Sequence, residues 1–217
     1  MQAHTFLSPA LQLLQRIAAV ALLGAACATQ AFAQNGVDPH TAPDVFVKTV
    51  GERALDVMKE DGAARTRDPA AINEVINTYI LPYVNLEKTT RLAAGRHWRT
   101  ATPEQQTRLV EAFKGTLIRT YGSAFRQVTP SSSLAILPYR GAPDATDTVV
   151  KSALTQERGG APVAIDYRLE KTGEGWKIYD LNVENIWLIQ NYRNQFNQEV
   201  NANGIEGLIK TLNSRNS

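Results

Sequence analysis

The sequence predicts an α+β fold, and three observations carry that prediction. Residues 41–126 hold a succession of capped amphipathic helices. Beyond Pro130 the hydrophobic period shortens to two residues. From about Ile186 the pattern turns helical again. Helices followed by a run of strands, rather than alternating with them, place helices on an antiparallel sheet.

The elements follow in order. Thr41-Ala42-Pro43-Asp44 reads as an N-cap with proline in the first turn. The helix it opens is expected to reach Asp61, with Val47, Val50, Ala54, Val57 and Met58 on one face and Gly62 as its stop. Asp68-Pro69 restarts a helix by the same chemistry, with a stripe of Ile72, Val75, Ile76, Tyr79 and Ile80, broken at Pro82. Asn85 caps a short third helix that ends at Gly95. Thr102-Pro103-Glu104-Gln105 is a capping box with proline at the first helical position, and its helix is expected to run to Arg126. Leu109, Phe113, Leu117, Tyr121 and Phe125 recur along it every four residues. At about 100° per residue such a stripe slews by about 40° per step, so this helix meets more than one neighbour.

Four strands are expected at Leu134–Tyr139, Thr146–Thr155, Val163–Glu170 and Trp176–Val183. Val163, Ile165, Tyr167 and Leu169 alternate with Ala164, Asp166 and Arg168, as in a half-buried strand. Glu157-Arg158-Gly159-Gly160 and Thr172-Gly173-Glu174-Gly175 read as hairpin connections, giving an antiparallel meander. Trp176 and Ile178 fall on one parity and Tyr179, Leu181 and Val183 on the other, which marks a β-bulge. A helix is expected over Ile186–Asn201, with Ile189, Tyr192, Phe196 and Val200 inward. Gly204 stops it, and a last helix carries Ile205, Leu208, Ile209 and Leu212.

The start of the chain has a different character. Arg16 precedes an apolar run over 17–28, followed by Ala31-Phe32-Ala33. This is the pattern of a secretory signal peptide, with cleavage expected after Ala33. The run is too short to cross a bilayer, which takes roughly 20 apolar residues. The expected organisation is a signal peptide at 1–33 and one domain at 34–217, located outside the cytoplasm. Cys27, the only cysteine, lies in the leader, so the exported domain relies on its core and not on disulfides. A lipoprotein anchor at Cys27 is disfavoured, because Gly24 stands where such a site carries leucine.

Composition narrows the chemistry. Lys+Arg number 23 against 21 Asp+Glu, and one of the basic residues is Arg16 of the leader. That balance gives neither a nucleic-acid field nor an acidic tail. The sequence has no G-x-S-x-G, H-E-x-x-H, P-loop or G-x-G-x-x-G. Beyond the leader only His40 and His97 remain, too few and too far apart for a zinc site. His97, among Arg91, Arg96 and Arg99 and beside Trp98, reads as a packed loop histidine rather than a base. Asp144 and Asp147 read as turn residues rather than calcium ligands. Asp166 and Asp180 are the one candidate acid–base pair. Alternation sends Asp166 toward solvent, and Asp180 is expected to be a satisfied structural carboxylate.

Several stretches in order resemble one family. They are Leu81-Pro82-Tyr83-Val84, Trp98 with Ala101-Thr102-Pro103-Glu104-Gln105-Gln106 and Ala112-Phe113-Lys114, and Trp176-Lys177-Ile178-Tyr179-Asp180-Leu181-Asn182-Val183-Glu184. Asn191-Tyr192-Arg193-Asn194-Gln195-Phe196 and Asn203-Gly204-Ile205-Glu206-Gly207-Leu208-Ile209 follow. The series resembles the MlaC family of periplasmic phospholipid-binding proteins of the toluene-tolerance (Mla) system, over essentially the whole chain after the leader. The resemblance implies helices packed on a strongly twisted four-stranded antiparallel sheet, related to the NTF2-like shape, with one apolar cavity between sheet and helices.

It also implies a non-enzymatic periplasmic carrier. Such a carrier binds glycerophospholipid tails and shuttles lipid between membranes, maintaining outer-membrane lipid asymmetry. The implied partners are an outer-membrane lipoprotein–porin complex and an inner-membrane ABC transporter with an MCE-domain ring. Phospholipid is the cargo and no cofactor is implied. The expected cavity residues are Phe113, Leu117, Tyr121 and Phe125 from the long helix, and Val150, Ile165, Tyr167, Leu169, Leu181 and Val183 from the sheet. Arg140 and Lys151 are candidates to neutralise a headgroup phosphate. Asn185 departs from the glycine common at its place but tolerates a left-handed turn. Trp187 is expected to reshape the end of the pocket. Two other readings stay open at this point: a small-molecule enzyme on an NTF2-like cone using Asp166 or Asp180, and a periplasmic adaptor with a filled core.

Overall fold

Where the sequence places a cap and a proline, the chain turns into helix. The computed structural model describes residues 36–60, 67–155 and 161–216. The chain divides into two units, Met1–Asp38 and Pro39–Ser217, and every element below belongs to the second. The leader at 1–33, the helix end at Asp61-Gly62 and the connection Glu157–Gly160 lie outside the described residues.

Helix α1 spans Pro43–Glu60 and buries Val47, Val50, Ala54, Val57 and Met58, the expected face. Helix α2 spans Pro69–Val75, and the Asp68 side chain accepts from the Ala70 N–H as its cap. It does not end there. A π-helical turn, Ile76–Ile80, and a 3₁₀ turn, Leu81–Tyr83, carry the chain on, so Pro82 sits inside a tight turn and does not break a helix. Helix α3, Leu86–Ala94, is capped by Asn85 and ends at Gly95, whose φ of 58° favours glycine. A 3₁₀ turn, Gly95–Thr100, leads to α4, Pro103–Gly122. Its capping box is present in both directions, Thr102 accepting from the Gln105 N–H and Gln105 from the Thr102 N–H. Beyond Gly122 the chain tightens into a 3₁₀ turn, Ser123–Gln127, where sequence had continued the helix to Arg126.

The sheet is an antiparallel meander in the order β1-β2-β3-β4-β5. Its strands are β1 (Ser133–Ile136), β2 (Asp147–Thr155), β3 (Val163–Thr172), β4 (Gly175–Val183) and β5 (Ile186–Trp187). The fifth is a two-residue strand where the sequence pattern predicts the start of the following helix. Glu184 and Asn185 adopt φ of 49° and 68°, and such a left-handed pair closes a tight hairpin onto β5. Helix α5 therefore starts at Leu188 and runs to Asn216. Gly204, at φ 70° and ψ −179°, breaks it into two arms where the stop was expected.

The expected bulge is present. Arg168 pairs with Asp180 and Leu169 with Ile178, leaving Tyr179 as the extra residue on β4. Neighbouring elements satisfy the backbone it disturbs. The Thr89 hydroxyl donates to the Tyr179 carbonyl at 2.7 Å, and the Asn85 N–H to the Ile178 carbonyl at 2.8 Å. The bulge thereby anchors the start of α3.

Among the described residues, two packed cores stand out. In one, α3, α4 and α5 bury Leu109, Phe113, Tyr192 and Phe196, with the Phe113 ring 4.7 Å and 4.9 Å from those of Tyr192 and Phe196, edge on. In the other, α1, α2 and the π-helical turn bury Ala54, Val57, Met58, Ile72, Val75 and Ile76. The slewing stripe of α4 joins them. Leu109 and Phe113 belong to the first core, while Phe125, on the turn beyond α4, packs on the second.

Candidate functional site

Between the two cores and the sheet lies an apolar cavity of about 420 Å³, within the range of small-molecule pockets. Each wall comes from a different element. Val47, Val50 and Ala54 of α1 form one side. Ile76, Ile80 and Leu81 reach it because the π-helical turn redirects the end of α2. Leu117, Ile118 and Tyr121 of α4 and Phe125 beyond it form a second side. The sheet contributes Leu134, Leu154, Ile165, Tyr167, Leu181 and Val183. The bulge matters here: it returns Leu181 and Val183 to the face already occupied by Ile178, opposite Tyr167, Ile165 and Leu169. Without the extra residue, half of β4 would turn its apolar side chains to the other face.

Of the residues expected to face a cavity, Leu117, Tyr121, Phe125, Ile165, Tyr167, Leu181 and Val183 stand in its wall. Phe113, Val150 and Leu169 do not. All three are fully buried, and Phe113 is held in the aromatic cluster of the helical core. Period-two alternation selects a face of a strand but not the level along it at which packing gives way to space. The contributions of α1, Ile76 and Ile80 were missed as cavity residues. Their apolar stripes were legible, but nothing in them distinguishes a neighbour from a void.

The polar groups near the cavity are mostly engaged. Ser152 Oγ donates to the Ile165 carbonyl at 3.1 Å and lies 3.4 Å from the Tyr167 hydroxyl. Burial raises the Tyr167 pKa, and burial with the nearby Tyr192 and Asp180 raises that of Tyr121. Tyr179 donates its hydroxyl to Asp147 at 2.9–3.0 Å, and its ring lies 3.7 Å below Lys88 Nζ. Burial, then the bond and charge of Asp147, push the Tyr179 pKa up to about 12. Lys88 is itself 2.7 Å from Glu170 Oε2, whose other oxygen accepts from Asn85 at 2.7 Å.

Asp180 is a structural carboxylate. Oδ1 accepts from the Leu181 and Ile189 N–H groups at 3.0 Å, and Oδ2 from Arg168 at 3.1 Å. It thus caps the start of α5. Its side chain has no exposure, and that burial raises its pKa against the pull of these donors. Asp166 pairs at 4.0 Å with Lys151. The candidate acid–base pair is therefore two separate ion pairs. His97 is bound to Asn197 at 2.9 Å. Asp147 is committed to Tyr179, and the described residues hold no group of three or more metal-ligating side chains.

Arg140, Lys151 and Trp187 do not line the cavity. The Trp187 ring covers the Arg168 guanidinium at 3.9 Å, because β5 draws it across the sheet instead of toward the pocket end.

The fold and the site together define a class: an α+β binding protein, helices over an antiparallel meander, with one large apolar cavity between them. Residues 48–214 match the MlaC protein family, and the chain belongs to it. The chain is 29% identical over 183 residues to the toluene tolerance protein ttg2D of Pseudomonas putida, covering 84% of this chain and 83% of that protein. It is 21% identical over 176 residues to the intermembrane phospholipid transport system binding protein MlaC of Haemophilus influenzae, covering 80% and 81%. A phospholipid-binding protein from Ralstonia solanacearum, solved in complex with a phospholipid, superposes with a TM-score of 0.76 at 38% identity. That match covers 81% of this chain and 97% of the other.

Proposed function

We propose that this protein is a non-enzymatic phospholipid carrier that holds acyl chains in the cavity between sheet and helices. One observation carries the reading: an apolar cavity of about 420 Å³ in a family member that is 38% identical to a protein crystallised with a phospholipid. The energetics require such a cavity. Burying an acyl chain recovers about 0.8 kcal/mol per methylene, so a tail of roughly 16 carbons is worth on the order of 10 kcal/mol. A surface groove leaves much of that unrealised. Ile165, Tyr167, Leu181 and Val183 would contact the tails from the sheet, and Leu117, Tyr121 and Phe125 from the helical side.

The signal-peptide pattern at 1–33 supports a periplasmic location. In that setting the carrier would pass lipid between an outer-membrane lipoprotein–porin complex and an inner-membrane ABC transporter bearing an MCE-domain ring. The ATPase would supply the energy, consistent with a sequence that has no P-loop. Engagement of Asp166 and Asp180 in structural ion pairs weighs against an enzyme at this site.

The test is native mass spectrometry of protein purified from a Gram-negative periplasm, with lipid extraction alongside. Adducts of phospholipid mass, released on denaturation, are the expected result. Leu181→Trp, which fills the cavity, is expected to lose them while remaining folded. A protein free of lipid that takes none up from vesicles would overturn the reading.

A further inference from the structure

A second cavity, a cleft of about 370 Å³ between α2 and the end of α4, has the opposite chemistry. Asn73 of α2 and Asn77 of the π-helical turn that continues it line the cleft opposite Arg119 and Arg126, which are seven residues apart and so on one side of α4 and its continuation. Gly115 and Gly122 alternate with the two arginines along the same side and keep the cleft open. A Cβ at Gly122 would stand 3.6 Å from Ile72, so the helices meet closely at its floor. No carboxylate lines the cleft, and among the described residues neither arginine has an ion-pair partner.

We propose that this cleft is a binding site for a phosphate group, held by the guanidinium groups of Arg119 and Arg126. Two planar forks with no carboxylate partner match the several oxygens of a phosphate and offset its charge. The Asn73 amide stands beside them as a further hydrogen-bonding group, and so does that of Asn77, whose Nδ2 also donates to the Asn73 carbonyl at 2.7 Å. The negative end of the α4 dipole opposes an anion here, so both arginines are needed. The cleft exceeds a lone phosphate ion and has room for a glycerophosphate group. The phosphate can come from free solute or from a lipid headgroup.

The cleft also backs directly onto the apolar cavity. Ile118 lines both, and the turn Ser123–Gln127 gives Ser123 and Arg126 to the cleft but Phe125 and Gln127 to the cavity. An anion that draws Arg126 toward α2 therefore acts on an element of the cavity wall.

The test titrates the full-length purified protein with inorganic phosphate, glycerol 3-phosphate, or vesicles containing phosphatidic acid. Sodium chloride at matched ionic strength is the baseline, and the readouts are thermal shift and the NMR signals of the arginine side chains. Saturable binding is expected, weakened about tenfold by Arg119→Gln or Arg126→Gln. Arg53→Gln, on the exposed face of α1, is expected to leave it unchanged. Binding of inorganic phosphate makes free solute sufficient. Binding of glycerol 3-phosphate or vesicles alone assigns the site to a headgroup. A response equal in the double arginine variant, or reproduced by chloride, overturns the proposal. Lipid content measured in the same samples is a separate readout, so a lipid-free protein with arginine-dependent phosphate binding would overturn the carrier reading and leave this one standing.

Discussion

Two neighbouring buried polar residues on β4 show how differently similar side chains behave. Asp180 has every oxygen engaged and ties β3, β4 and the start of α5 together. Asp180→Ala would strand two N–H groups and an arginine, and a loss of about 3–5 kcal/mol is expected in urea unfolding. Asn182, two residues on, is buried with its Oδ1 unpartnered. Asn182→Val removes that unmet acceptor and suits a strand, so an unchanged or higher Tm is expected. Tyr179 gives a pH signature. Its pKa near 12 exceeds the unfolded value near 10. Its contribution is therefore fully present below pH 10 and is lost as pH rises from 10 to 12, where the unfolded chain ionises first. The stability difference between the protein and Tyr179→Phe is expected to shrink by about 2 kcal/mol across that window in denaturant titrations. Asp180 was legible as structural only as the default for a carboxylate within a strand, because the parity switch left its facing open. Its bond to Ile189 was not, since only the fold brings the start of α5 to that carboxylate.

At the scale of elements, the cavity depends on how closely α1 approaches the sheet. Gly51 of α1 faces the side chain of Leu134 on β1, and a Cβ added there would collide with its Cδ2. The clash is with the tip of a flexible side chain, and both residues line the cavity. Gly51→Ala gains about 1 kcal/mol of helix propensity while pushing Leu134 aside. The expected outcome is a nearly unchanged Tm with less bound lipid per protein, read by native mass spectrometry. A fall in Tm with lipid unchanged would show that Leu134 gives way elsewhere. Helix starts were legible because capping is local: Asp68, Asn85 and Thr102 each accept from an N–H two or three residues on. The π-helical turn at Ile76–Ile80 and strand β5 were not legible. Both are set by packing against distant elements, and tertiary context overrides a short-range pattern.

For the whole molecule, a cargo that binds the folded state alone must stabilise it. At a hundredfold excess over Kd that is about 2.7 kcal/mol, or roughly 5–10 °C in Tm for a domain of this size. Stripping the protein of lipid is expected to lower Tm by that amount, and reloading from vesicles to restore it, in paired calorimetric scans. An identical Tm before and after extraction would mean that the cavity contributes nothing to cargo binding.

The sequence by itself determined the fold class, most helix starts, the three long strands, the bulge and the family, because each is written in contiguous residues through capping, period and order; the first strand, expected to reach Tyr139, ends at Ile136. The tertiary structure alone decided that the apolar faces enclose space. Phe113 and Leu117 differ by one turn of the same helix, yet one is sealed in a core and the other stands at a cavity. Hydrophobic pattern reports which side of an element leaves water. Whether the facing elements meet or stand apart depends on their separation and crossing, and those distances are set by residues remote in the chain.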